Sequence, residues 1–171
     1  NEGKLFKRYR NGESAIDGMI EDYAFLIWGL IEVYQLTFDI KYLDEAIKLS
    51  NYQIENFWDN ENKGFYYYDQ NSEGLIVRAK EVYDGAIPSG NSVSAYNFMR
   101  LSRILSRTDY EDTAIRLLKR YSNRLNKSGS SQTMMMKAVD FLKGPSFEVI
   151  ILGEKEAAKM ENILHEINQS K

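Results

Sequence analysis

Two hydrophobic patterns alternate along the chain, and the alternation predicts helices of two kinds. In "EDYAFLIWGLIEVYQL" (21–36) apolar side chains fall almost all round: Tyr23, Ala24, Phe25, Leu26, Ile27, Trp28, Leu30, Ile31, Val33 and Tyr34. A helix of that kind is covered on most sides. The next run, about Lys41 to Phe57, puts Leu43, Ala46, Ile47, Leu49, Ser50 and Ile54 on one side and Lys41, Asp44, Glu45, Lys48 and Glu55 on the other. That predicts an outer helix with one wet face. The scheme returns with an inner helix over Val93 to Leu105 and an outer one over Tyr110 to Leu125. A third inner helix is predicted around Gln132 to Leu142, where Met134, Met135 and Met136 read as gap-filling core beside Val139 and Phe141.

The alternation is a repeat. Asp17-Gly18-x-Ile20 returns as Asp84-Gly85-x-Ile87, and Tyr42-x-x-x-Ala46-Ile47-x-Leu49 returns as Tyr110-x-x-x-Ala114-Ile115-x-Leu117, with nearly the same offset. The unit is one helical hairpin plus its connection. Between the units, Phe65 to Tyr68 and Leu75 to Ala79 flank a turn-rich "DQNSEG", which predicts a β-hairpin. "KLFKRYRNGES" near the start is expected to be the outgoing strand of a similar hairpin whose first strand is missing. After Gly144-Pro145 the pattern changes: "FEVIIL" reads as a short buried strand and "EKEAAKMENILHEINQS" as an amphipathic helix. The expected fold is therefore mainly α, a partial α/α toroid of about two and a half helical hairpins over 1–144, with a strand-helix appendix over 145–171. Such an arc leaves inner-helix surface uncovered at each end, where a homodimer or the rest of a larger ring would sit.

Composition narrows the chemistry. A net charge of −3 with both signs interspersed argues against nucleic acid, and "RLLKRYSNR" (116–124) has the helical spacing of a solvated outer face. The chain has no cysteine, so disulfides, thiolate zinc and a thiol nucleophile are excluded. Its one histidine, His165, falls on the terminal helix, which leaves no histidine-based metal cluster or Ser-His-Asp triad in the main body. No cofactor is expected. No apolar run is long enough for a membrane span, since "YAFLIWGLIEVYQL" is short and contains Glu32. No secretory signal is visible, and the lack of cysteine favours a cytoplasmic setting.

"DGAIPSGNS" (84–92) carries more small and polar groups than a helix start requires. Pro88 presets the backbone, Ser89 or Asn91 can cap, and Gly90 lets a backbone or ligand approach closely. Free N–H groups at an inner helix start would suit a carboxylate, a phosphate or a sugar hydroxyl. One reading makes Ser89, Gly90, Asn91 and Ser92 a ligand-binding rim; the other makes them a cap that ties the hairpin to its neighbour. In the first unit the equivalent acids are Glu21 and Asp22, either first-turn residues facing the helix dipole or an acid-base pair. Adjacent residues on a helix point apart, so Asp22 with Asp84, from neighbouring inner-helix starts, is the stronger catalytic pair; hydrolysis of a glycoside would need two carboxylates on opposite sides of a sugar. Tyr23, Trp58 and Tyr67 could supply stacking faces, although aromatics so placed also seal hairpin against helix.

"GMIEDYAFLIWGLIEVYQLTFD", "FWDNENKGFYYYD", "DGAIPSGNSVSAYNFMRLSRIL" and "GPSFEVIILG" together resemble the C-terminal part of the thioredoxin-domain-containing, spermatogenesis-associated family. The resemblance implies a parent with an N-terminal thioredoxin-like domain followed by a six-hairpin α/α toroid. That domain is absent from this chain. The family toroid is similar to those of N-acylglucosamine 2-epimerases and several glycoside hydrolases. By analogy of fold this implies a sugar-active hydrolase or isomerase, if the protein is catalytic, with other ring segments completing the site. The alternative is a non-catalytic interaction or scaffold module.

Overall fold

The computed structural model describes residues 3–72, 78–145, 147, 149–152 and 158–169. A two-stranded antiparallel hairpin, β1 (Phe6–Arg10) and β2 (Glu13–Asp17), leads into α1 (Ile20–Thr37) and α2 (Ile40–Phe57). A long connection follows, then α3 (Gly90–Leu105), α4 (Thr108–Ser128), a short 3-10 turn, α5 (Thr133–Lys143) and α6 (Ala158–Gln169). The protein is mainly α-helical.

Local chemistry sets the helix ends. The Asp22 carboxylate reaches back to accept from the Met19 N–H at 2.8 Å, satisfying an amide that the first turn leaves unpaired. α1 stops where Phe38 turns left-handed at φ 53° and donates its N–H to the Tyr34 carbonyl. Asp39 then starts α2 by accepting from Lys41 N–H at 3.1 Å. α3 is capped by Ser89 and ends at Ser106 with φ 51°.

α2 packs on α1 and α4 on α3, while α3 also packs between α1 and α5. The repeat seen in the sequence is a repeat of burial: Ala46 and Ala114 are both fully buried, as are Leu49 and Leu117. α3 is the best-covered helix, with even Ser92, Ser94, Asn97 and Ser102 out of solvent. α1 is less so, because Leu26, Val33 and Leu36 face outward. The core joins Ile20, Ile27, Ile31, Phe57, Phe65, Phe98 and Tyr110, each fully buried aliphatic or phenyl side chain contributing roughly 1.5–3 kcal/mol. Of the three methionines, Met134 and Met135 are core and Met136 is exposed.

Two expectations about extended segments need correction, those at the two ends of the chain. The N-terminal stretch is a complete hairpin, with Phe6 opposite Asp17 and Arg10 opposite Glu13. The reason is the Asn11-Gly12 turn: both residues take positive φ (53° and 84°), the geometry that a two-residue hairpin demands. In the middle connection the described residues form a bridge between Trp58 and Phe65 and a Tyr67 N–H to Ala79 carbonyl bond of 2.8 Å; Leu75 to Val77 of the expected strand lie outside the described residues. Finally, Phe147, Val149, Ile150 and Leu152 form no strand and are exposed, Phe147 by 87%. The expected helix after them is α6, on which His165 is exposed and lies 2.8 Å from the Gln169 amide.

Candidate functional site

The stretch from Asp84 to Ser92 folds as a clasp. Asp84 Oδ1 accepts from the Ser89 N–H at 2.9 Å, and Oδ2 accepts from Met134 and Met135 N–H at 2.8 and 3.3 Å. One carboxylate thus closes the turn ahead of α3 and caps the start of α5, where its charge also meets the helix dipole. Ser89 Oγ accepts from Ser92 N–H at 3.2 Å and lies 2.9 Å from Ser92 Oγ. Asn91 bonds Phe65 in both directions, accepting at 2.8 Å and donating at 2.9 Å, and also donates to the Glu81 carbonyl at 2.8 Å. A Cβ on Gly90 would stand 2.8 Å from Ile20 Cγ2 and 3.2 Å from the Glu21 nitrogen, so α3 touches α1 here as closely as a glycine permits. All of these residues are buried, and their polar groups serve the protein's own backbone.

An open cleft of about 440 Å³ lies beside this clasp, between β1, the start of α1 and Ile87. Phe6, Lys7, Glu21, Asp22 and Phe25 wall it. Partial burial pushes the Glu21 carboxyl above its ordinary range and the nearby Glu81 charge adds to this, while Lys7 and the Tyr67 hydroxyl oppose without cancelling. That hydroxyl donates to Glu21 Oε2 across 3.5 Å. Burial, followed by the Glu21 charge, likewise raises the Tyr67 phenol. Asp22 lies 3.7 Å from the Lys7 ammonium. Here the Glu21 carboxyl, an ion pair and two phenyl side chains line one hollow, and the Tyr67 phenol reaches the carboxyl.

Of the residues singled out in the sequence, Glu21 and Asp22 therefore line the cleft and Tyr67 touches Glu21. Asp84, Ser89, Gly90, Asn91 and Ser92 form the clasp. Tyr23 is in the core, stacked on Tyr52 at 5.3 Å, with its hydroxyl accepting from Leu5 N–H at 2.8 Å. Trp58 packs edge-on against Phe65 at 4.9 Å. Sequence reasoning missed Lys7, Phe25 and Ile87; the Asn11-Gly12 turn was the available signal, because it folds β1 back toward the start of α1. Among the described residues, no three His, Cys, Asp or Glu side chains gather as they would around a metal ion, and no helix is long and apolar enough to cross a membrane.

Stacked helical hairpins, a self-satisfied clasp at an inner-helix start and an open, mainly apolar cleft next to it define a mainly α, helical-hairpin protein. Sequence comparison agrees and is more specific. The chain is 32% identical over 141 residues to spermatogenesis-associated protein 20 of Homo sapiens and 30% identical over 148 residues to that of Rattus norvegicus, covering 82% and 86% of this chain. An uncharacterized protein of Caenorhabditis elegans is 27% identical over 158 residues. The chain belongs to the spermatogenesis-associated family, and it spans only 18–21% of the length of these relatives. No family model matches it.

Proposed function

We propose that the chain supplies a binding site for a small carbohydrate-like ligand in the cleft at the start of α1, within one arc (1–144) of an α/α toroid, with 145–171 as an appendix. Glu21 carries the reading. The Glu21 carboxyl oxygens and the Tyr67 hydroxyl that reaches them offer hydrogen-bond partners to a sugar hydroxyl. The Phe6 and Phe25 rings offer apolar faces to the C–H groups of a sugar, and the cleft has the size of a small-molecule site. Asp22, 3.7 Å from the Lys7 ammonium, is the second carboxyl of the cleft. Asp84, with both oxygens already accepting, holds α3 and α5 in place. The other arcs of such a ring would come from the longer parent chain.

Calorimetric titration with glucose, glucosamine and N-acetylglucosamine tests this. Binding is expected, and Glu21→Gln, which keeps the shape and removes the acid, should weaken it about tenfold. No heat from any of the three sugars would end the proposal. A second reading, a protein-interaction module that can also pair with its own copy, is favoured by the outward apolar strip of Leu26, Val33 and Leu36, continued by Phe38 and Ile40.

A further inference from the structure

The loop from Asp59 to Gly64, which follows α2, closes around a positive charge. Asp59 Oδ1 accepts from the Glu61 and Asn62 N–H groups at 2.8 and 3.0 Å, which shapes the turn. Oδ2 accepts from the Tyr66 hydroxyl at 2.7 Å and from the Asn62 side-chain amide at 3.3 Å. The Asp59 N–H donates to the Gly64 carbonyl and the Lys63 N–H to the Asp59 carbonyl, both at 3.0 Å. Lys63 and Gly64 take positive φ, 60° and 85°, and a Cβ on Gly64 would stand 2.8 Å from the Tyr121 hydroxyl. Folded in this way, the loop brings Asp59 Oδ2 and the Lys63 carbonyl to one point.

The Lys80 ammonium occupies that point. It donates to Asp59 Oδ2 at 2.6 Å and to the Lys63 carbonyl at 2.6 Å, with the centre of the Tyr66 ring 4.7 Å away. A primary ammonium has three N–H donors, and two oxygens plus an aromatic face match all three. Both partners are enclosed, the Asp59 side chain 6% exposed and that of Lys80 14%. The order Asp59-x-Glu61-x-Lys63-Gly64 has the spacing of the first half of a calcium loop, but Lys63 puts a second cation where such a loop has an oxygen-bearing side chain. Two oxygens beside an extra positive charge suit a singly charged hydrogen-bond donor, not a divalent ion that takes about six to eight oxygens.

We propose that this is an ammonium-binding loop whose ligand is tethered: Lys80 supplies the cation in cis and so fastens the strap 78–82. Along the strap, Arg78 donates to the Tyr68 carbonyl at 2.9 Å, the Ala79 carbonyl accepts from Tyr67 N–H at 2.8 Å and the Glu81 carbonyl accepts from Asn91 at 2.8 Å. The Glu81 charge also acts on Glu21. Loop, clasp and cleft therefore share one strap, and the loop's choice of cation does not depend on what the cleft binds.

Lys80→Ala keeps Cβ and removes the equivalent of one propylammonium ion. Its thermal unfolding is followed in propylammonium, tetramethylammonium, sodium and calcium chlorides at equal ionic strength. The variant should melt about 10 °C below the parent, as loss of one partner of a buried pair does. Propylammonium should restore at least half of that loss and saturate, as a ligand of the folded state does. Tetramethylammonium, which has the charge without N–H groups, and sodium should restore none of it. Lys80→Met fills the space with an uncharged stem and should lose as much and regain nothing. If Lys80→Ala does not fold unaided, recovery of its helical circular dichroism on refolding with propylammonium is the same readout. Failure of propylammonium to rescue, equal rescue by every salt, or rescue of Lys80→Met as well overturns the proposal. Calcium succeeding where propylammonium fails would also overturn it and make the loop a divalent-metal site.

Discussion

Glu21 and Asp59 are both carboxylates in partly enclosed surroundings, and their surroundings displace them in opposite directions. Glu21 has few groups that favour its charge, so burial prevails. At Asp59 burial pushes upward too, but the Lys80 ammonium at 2.6 Å, the Tyr66 hydroxyl at 2.7 Å and two backbone N–H groups outweigh it and hold the carboxyl far below its usual range. A lowered folded-state value stabilises the fold above the ordinary aspartate value of 3.8, and that contribution drains away as pH falls below it. Asp59→Asn should therefore cost about 3 kcal/mol near neutral pH, since Lys80 loses its buried partner, and progressively less in acid. Urea unfolding at pH 7 and pH 3 measures both. Asp84 marks what single residues in a sequence can tell. Its importance was legible from the company it keeps in "DGAIPSGNS", but its partners at the start of α5 were not, because Met134 and Met135 come near it only after α4 has carried the chain away and back.

At the scale of elements, period and spacing were legible and close approach was not. The 3.6-residue pattern located α1 to α5 to within a few residues, because burial on one stripe is a local property of the sequence. It could not reveal that α3 lies on α1 through Gly90, which depends on what the neighbouring helix presents. Ile20 is branched at Cβ and cannot swing its Cγ2 aside. Gly90→Ala should cost about 1–3 kcal/mol through this contact, against the small gain an alanine normally brings to a helix. Its effect and that of Ile20→Ala should be less than additive in a double-mutant cycle read by thermal melting. Additive losses would mean that the two helices adjust elsewhere. Phe147, Val149, Ile150 and Leu152 failed for the opposite reason: a mostly apolar run looks buried until a partner has to be found for it.

For the whole molecule, the repeat made the architecture legible, and the open strip on α1 is its consequence. Leu36 is 64% exposed and Ile40 59%. In isolation the chain should associate through that strip, and Leu36→Lys should shift it toward monomer in sedimentation velocity across a concentration series. As a surface change it should alter stability by no more than about 0.5 kcal/mol. An unchanged distribution would place any self-contact elsewhere.

The central place of α3 has another consequence. α2 reaches it through the 2.5 Å bond from Gln53 to Ser94, α1 through the Asn97 amide on the Ala24 carbonyl, and α5 through Asp84. Neighbours that touch mainly neighbours make such an array quasi-one-dimensional, so order can be lost one unit at a time from the outside. Peeling α1 and α2 away would still leave α3 between α4 and α5, whereas melting α3 removes the shared support of every other hairpin. The molecule thus has a keystone rather than a uniform core, and damage at its rim stays local while damage at its centre does not.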